Sequence, residues 1–199
     1  MSRFAWALFI VLGAASPHRA AAVGLIDFEC LGDGTPLVAQ IAGVSFSNAV
    51  VLSSGLSLNE FEFPPRSGTN VASDDGGAMQ IAFGAPMIEV SAFFTYAVPL
   101  TLTAFDAGGN TVATAASLFT SNLALSGAAG SSANERITLA SPVGISRLVI
   151  AGDTAGASFV VDDLAATVVP EPATHALMLL GMLLMAAAAT ARRAQGQRA

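Results

Sequence analysis

Residues 100–116 read Leu-Thr-Leu-Thr-Ala-Phe-Asp-Ala-Gly-Gly-Asn-Thr-Val-Ala-Thr-Ala-Ala. Leu100, Leu102 and Ala104 alternate with Thr101 and Thr103, the period of two that sends successive side chains to opposite faces of a strand. Asp106 to Asn110 then supplies residues that tolerate a positive φ, and a second strand-like run follows over Asn110–Ala116. The stretch predicts an antiparallel hairpin. Similar short runs recur outward from it, near Leu25–Cys30, Gly43–Phe46, Ala49–Leu52, Met79–Phe83 and Ile88–Tyr96, then Glu135–Ala140, Arg147–Ala151 and Ser158–Val168. Pro64–Asn70 and Ser73–Gly77 read as loops, and Ser121–Ala133 as either a small-residue strand and turn or a flexible loop. About ten short strands spaced by about 8–12 residues predict an all-β fold, a jelly-roll-like antiparallel β-sandwich.

The ends of the 199-residue chain have a different character. Arg3 is followed by an apolar run from Phe4 to Ala15 and by the small residues Ala20-Ala21-Ala22, the pattern of a secretory signal peptide helix over 1–22. Near the other end, residues 173–191 carry no formal charge except on His175 and are apolar all round, and Arg192, Arg193 and Arg198 follow. As a helix at about 1.5 Å per residue this stretch is just long enough for a hydrocarbon core, and the arginines favour the cytoplasmic side. The reading is a single transmembrane helix over 175–191 with an Arg-rich cytoplasmic tail over 192–199, anchored by Arg192 and Arg193. Between sandwich and span, Pro170 and Pro172 exclude a helix interior, so 169–174 is an extended linker that holds Glu171 at the membrane boundary.

Subtracting both ends leaves an ectodomain, residues 23–168, with 13 acidic residues, three Arg (66, 136 and 147), no Lys and no His. Such a domain has no electrostatic footprint for nucleic acid. Without His it lacks Ser-His-Asp and Cys-His arrangements and the imidazoles of a zinc site, and without Lys it has neither a Schiff base nor a P-loop. Cys30 has no second Cys to pair with; in a strand it would be a small buried hydrophobe, the alternatives being a reactive thiol or an intermolecular bridge. Carboxylate pairs survive the elimination, either Glu60 with Glu62 or Asp162 with Glu29, because glycosidase chemistry needs only two acids of separated pKa. Sugar hydrolysis is disfavoured by the aromatic inventory, since Tyr96 is the one Tyr and the one Trp, Trp6, lies in the signal peptide.

Pro170-Glu171-Pro172, then one apolar stretch, then an Arg-rich end resembles the PEP-CTERM sorting signal. The resemblance covers residues 169–199. It implies an exported protein of a Gram-negative bacterium, recognised at Pro170, Glu171 and Pro172 by the membrane-embedded processing enzyme exosortase after passage through the Sec machinery. The ectodomain resembles, more loosely, galactose-binding-like and carbohydrate-binding sandwiches, on three stretches: Ile26–Glu29, Leu102–Asn110 and Phe159–Leu164. That resemblance implies first and last strands brought together around a structural Ca²⁺, with Asp27 and Glu29 on one strand face joined by Asp162 or Asp163. The other reading of these acids is strand-edge charge left in water.

The expected function is therefore non-enzymatic: a single-pass inner-membrane intermediate, processed by exosortase and delivered to the cell envelope, surface or exopolysaccharide matrix as a structural or adhesive component. The second expectation is a calcium-assisted carbohydrate-binding module, to which loops such as Arg66 to Asp75 would lend hydrogen bonds.

Overall fold

The structure, a computed structural model, describes residues 24–168, 178–179 and 181–186. The signal peptide 1–22, the linker 169–174, the tail 192–199 and part of the span 175–191 lie outside the described residues. Eight strands follow in order: β1 (Val44–Ser47), β2 (Ala49–Ser53), β3 (Asn70–Asp74), β4 (Met79–Tyr96), β5 (Thr101–Phe105), β6 (Thr111–Ala116), β7 (Glu135–Ala151) and β8 (Phe159–Val168).

At about 3.3 Å per residue, the 18-residue β4 and 17-residue β7 would overrun a sandwich if straight, so both bend. Their pairing runs regularly from Met79↔Ile150 to Ala82↔Arg147, jumps to Met87↔Ile145, then jumps again to Glu89↔Ala140. The surplus residues of the first jump lie on β4 and include Gly84 and Pro86; those of the second lie on β7 and include Pro142 and Gly144, which has φ 99°. Proline has no N–H to give a ladder and glycine accepts the left-handed backbone, so the corner falls where the sequence supplies both. Before the bend β4 pairs with β1 and with the second half of β7, which leads on to β5 and β6. After it β4 pairs with the first half of β7 and with β8, which leads on to β3 and β2. One hydrogen-bonded path, β2-β3-β8-β4-β7-β5-β6, is thereby folded into two layers. The result is the expected antiparallel β-sandwich. The chain makes a further layer change at Asn48 (φ 55°), between β1 and β2.

The core lies between the layers. Val44, Phe46, Ile81, Leu102, Leu148 and Ile150 enter it from one layer, and Val51, Ala72, Phe94, Ile137, Phe159 and Val161 from the other. The alternation read at 100–116 is realised in the β5–β6 hairpin, where Leu102 and Ala104 are buried. Its turn is held by Asn110, which donates to Asp106 through both its N–H (2.9 Å) and Nδ2. These donors hold the Asp106 carboxyl below its usual range.

Three local readings are corrected. Leu25–Cys30 is not a strand: only Ile26 forms a bridge, to Leu164, and Phe28 at φ 60° breaks the alternation. Cys30 consequently sits exposed in a turn, not buried in a strand. Part of the stretch read as loops is β3, and all five of its residues are buried. Segment 121–133 contains no strand, yet it is tied down by the buried Asn122, which accepts from Tyr96 N–H (2.6 Å) and donates to Phe94 O and Ser132 O. Among the described residues, no buried side-chain nitrogen or oxygen lacks a hydrogen-bond partner.

Phe94 is 1% exposed at the centre of this core. Phe94→Ala is expected to cost about 3–5 kcal/mol, read as a lower urea midpoint with an unchanged slope.

Candidate functional site

The outer face of the layer that holds β8 is partly roofed by the connection from β2 to β3. Leu58 of that connection packs with Val71 and Val160, with Leu52 and Phe63 at the margin, as a small second core on the outside of the sheet. Beyond it runs Pro64-Pro65-Arg66-Ser67-Gly68-Thr69-Asn70, and here the acids singled out in the sequence come together.

Asp162 points outward from β8, since Val161 and Leu164 point into the main core and Asp163, at φ 48°, is the extra residue of a bulge. It is 1% exposed because the loop lies over it. Arg66 N–H and Ser67 N–H donate to its Oδ2 (2.7 and 2.9 Å), and Asp163 N–H donates to its Oδ1 (2.7 Å). Ser67 Oγ donates to Asp163 Oδ1 (2.7 Å). Glu29 takes the far end of the loop, accepting Thr69 N–H and Asn70 N–H at Oε1 (2.8 and 2.7 Å) and Thr69 Oγ1 at Oε2. Gly68 (φ 55°) is the residue that lets the loop pass so close, for a Cβ there would lie 2.3 Å from Glu29 Cδ. Asn134 Nδ2 closes the other side on Pro64 O (3.1 Å).

The clamp has a consequence on the surface: it sets the Arg66 guanidinium 4.7 Å from the centroid of the Phe93 ring, a cation–π contact. Arg66, Phe93 and Gly68 were not legible as a unit, because Phe93 belongs to β4 and the acids that place Arg66 lie about 40 and 96 residues from the loop. The available signal was the glycine in a loop otherwise rich in Pro and polar residues.

The Ca²⁺ expected of Asp27, Glu29, Asp162 and Asp163 is not supported by this arrangement. Glu29, Asp162 and Asp163 do converge on one loop, but as acceptors for N–H and O–H donors, whose positive ends occupy the space a cation would need. Asp27 turns back to accept Glu29 N–H (3.2 Å). Among the described residues, no group of three or more Asp, Glu, His or Cys side chains is placed to hold a metal ion.

The carboxylate pairs fare similarly as general acid and base. Glu60 and Glu62 lie in a turn, not a strand, and Glu62 accepts Leu125 N–H and Ser126 N–H at Oε2 (both 3.1 Å). Asp162 and Glu29 each hold an end of the 64–70 loop. Among the recesses in the sandwich, one of about 160 Å³ is lined in part by Leu58, Phe63, Ser73 and Val160, and another of about 250 Å³ lies beside Phe83. Neither is lined by an acidic or basic side chain.

The last strand of the sandwich ends at Val168, and the Pro-Glu-Pro tripeptide begins two residues later. Residues 168–193 match the PEP-CTERM protein-sorting motif. The chain thus carries the sorting signal that its sequence suggested, a signal that implies recognition by exosortase and export to the cell surface. Pro170, Glu171, Pro172, Arg192 and Arg193 all fall within it and lie outside the described residues. No curated protein matches the chain. Among solved structures, the K2 cleaved adhesin domain of Lys-gingipain overlays at a TM-score of 0.48 with 15% identity, over 72% of this chain and 98% of that one. The carbohydrate-binding module TmCBM61, in complex with β-1,4-galactotriose, gives 0.40 and 12%, over 72% and 94%. An arabinose-bound GH51 α-L-arabinofuranosidase gives 0.43 and 16%, over 75% of this chain and 27% of that one.

Burial pushes Asp162 up from an ordinary 3.8 to about 6, helped by the neighbouring Asp163 charge and opposed by the N–H donors of Ser67, Asp163 and Arg66. A carboxyl raised in the folded state contributes stability that is fully present below about pH 4 and lost as pH rises through about 6. Wild-type stability in urea should therefore fall between pH 4 and pH 7. Asp162→Asn should flatten that limb, and an equally steep limb in the variant would exclude Asp162 as its source.

Proposed function

We propose that this protein is a non-enzymatic exosortase substrate whose β-sandwich is released from a single-span membrane intermediate to the cell envelope or exopolysaccharide matrix, where it serves as a structural or adhesive component. The observation that carries the reading is the position of the sorting motif, which starts at the last residue of β8. A signal peptide over 1–22, Sec-dependent export, and a span over 175–191 with Arg192 and Arg193 on the cytoplasmic side complete the pathway. Two features of the described residues support the membrane stage. Residues 178–179 and 181–186 are helical, and Met178, Leu179, Met182, Leu183, Leu184 and Met185 are all more than half exposed, so among the described residues this apolar segment has no protein partner. Among the described residues no helix is long and apolar enough to cross a membrane, and the full crossing rests on the sequence on either side.

The non-enzymatic part of the reading is supported by how the acids are used. Glu29, Glu62 and Asp162 hold loops by accepting backbone N–H groups, and the loop that Asp162 holds covers it from solvent. A carbohydrate-binding role remains the second reading, favoured by the exposed Arg66–Phe93 contact on the sheet face.

Pro170, Glu171 and Pro172 are the recognition elements. Glu171→Ala is expected to leave the protein at full length, apart from its signal peptide, in the inner membrane of the native host. Wild type is expected to lose the segment after about Pro172, as intact mass would show. Retention through Ala199 in wild type, with and without the processing enzyme, would make the motif match incidental.

A further inference from the structure

Of the three arginines in the 23–168 domain, two stand on one outer face around a single aromatic ring. Arg66 reaches Phe93 from the clamped loop. Arg136 is the direct cross-strand partner of Phe93 on β7, and its Nη2 donates to Ser91 Oγ (3.1 Å), the outward residue two positions along β4. Both arginines are exposed and Phe93 is half-buried between them, with the exposed Thr138 one step along β7, opposite Ser91. Cross-strand neighbours lie about 5 Å apart, so the guanidinium groups, the ring and the hydroxyl make one continuous surface. The acids nearest to it offer no ready competitor for the guanidinium groups. Asp162, the other cross-strand partner of Phe93, has both oxygens committed to backbone N–H groups, and Asp163 Oδ1 is taken by Ser67. Glu89 shares the face four residues along β4, about 13 Å away.

We propose that Arg66, Phe93 and Arg136 form a binding site for carboxylated polysaccharide, that is, for chains of uronic-acid type. Each guanidinium presents a planar fork that matches a carboxylate, and the Phe93 ring, with the Arg66 guanidinium stacked over it, holds one fork in place beside the strand that carries the other. A neutral sugar would engage neither charge. The domain's overall negative charge repels acidic polymers at long range, so recognition is local, at the one face where cationic groups are paired. The proposal deepens the matrix-component reading and rests on it for the ligand class.

The test is titration calorimetry of the full-length protein in neutral detergent with polygalacturonate, and with dextran as the neutral control. Wild type is expected to bind polygalacturonate, more weakly at higher salt, and not dextran. The Arg66→Ala/Arg136→Ala double variant should weaken binding about tenfold or more. Arg147→Ala should leave it unchanged, since Arg147 stacks on Phe105 (4.1 Å) in the other layer and gives Nη1 to Gln80. Absence of binding by wild type, equal binding of dextran, or a double variant as tight as wild type would each overturn the proposal. Because release by exosortase is measured separately, on intact mass, such a failure would leave the sorting reading standing.

Discussion

The sandwich depends on a bend that two paired strands make together. Because β4 and β7 each serve both layers, their register in one layer fixes where the other begins. Neither layer can slip by a residue without turning Phe94 or Ile81 out of the core. The two prolines and two glycines at the corner make the break in the ladder a property of the sequence. Without that break, one path of antiparallel strands would remain a single sheet with an uncovered apolar face.

Within this frame the acidic composition has a specific use. With 13 acids and only three arginines, and no lysine, the domain cannot neutralise its carboxylates by ion pairs. It sets them at loop ends, where backbone N–H groups would otherwise need water. Asp33 accepts Ser53 N–H, Asp74 accepts Ser158 N–H and Phe159 N–H, Glu62 holds 125–126, and Glu135 accepts Leu118 N–H along with the hydroxyl of Tyr96. Burial and the Glu135 partner push the Tyr96 hydroxyl up to about 12, so that partnership holds through the neutral range. Charge-assisted bonds of this kind are stronger than neutral ones, and they join segments far apart in sequence. Glu29, Asp162 and Asp163 on the 64–70 loop are the densest instance. That is why a cluster that reads as a cation site in sequence is the opposite in space, a set of acceptors filled by donors.

What was legible in the sequence was what depends on local pattern. The hairpin at 100–116 could be read because every second residue is apolar and the turn is polar. The halves of β4 and β7 were legible separately, since Gly84, Pro86, Pro142 and Gly144 do interrupt the pairing even though each strand continues through. β3 was not legible. Its sequence, Asn-Val-Ala-Ser-Asp, carries three polar residues, yet all five are buried. Asn70 donates to Phe28 O and Leu31 O, and Asp74 accepts from Ser158 and Phe159. Those partners lie roughly 40 and 85 residues away, and no periodicity reports them. The same non-locality hid the Arg66–Phe93 contact.

The junction between sandwich and sorting signal follows from the same topology. Val168, the last residue of β8, pairs with Met87, which lies on β4 immediately after the bend. The chain therefore leaves the fold beside the corner, from a strand hydrogen-bonded on both sides to β3 and β4. Glu171 is three residues further on, a reach of at most about 11 Å of extended chain. Any partner that binds at Glu171 would work within that distance of the corner, where Gly84, Pro86, Pro142 and Val143 are exposed and uncharged. Glu89, exposed two residues after Met87, is an acid beside that corner, so the bend that makes the sandwich also sets which side chains surround the point where the chain leaves it.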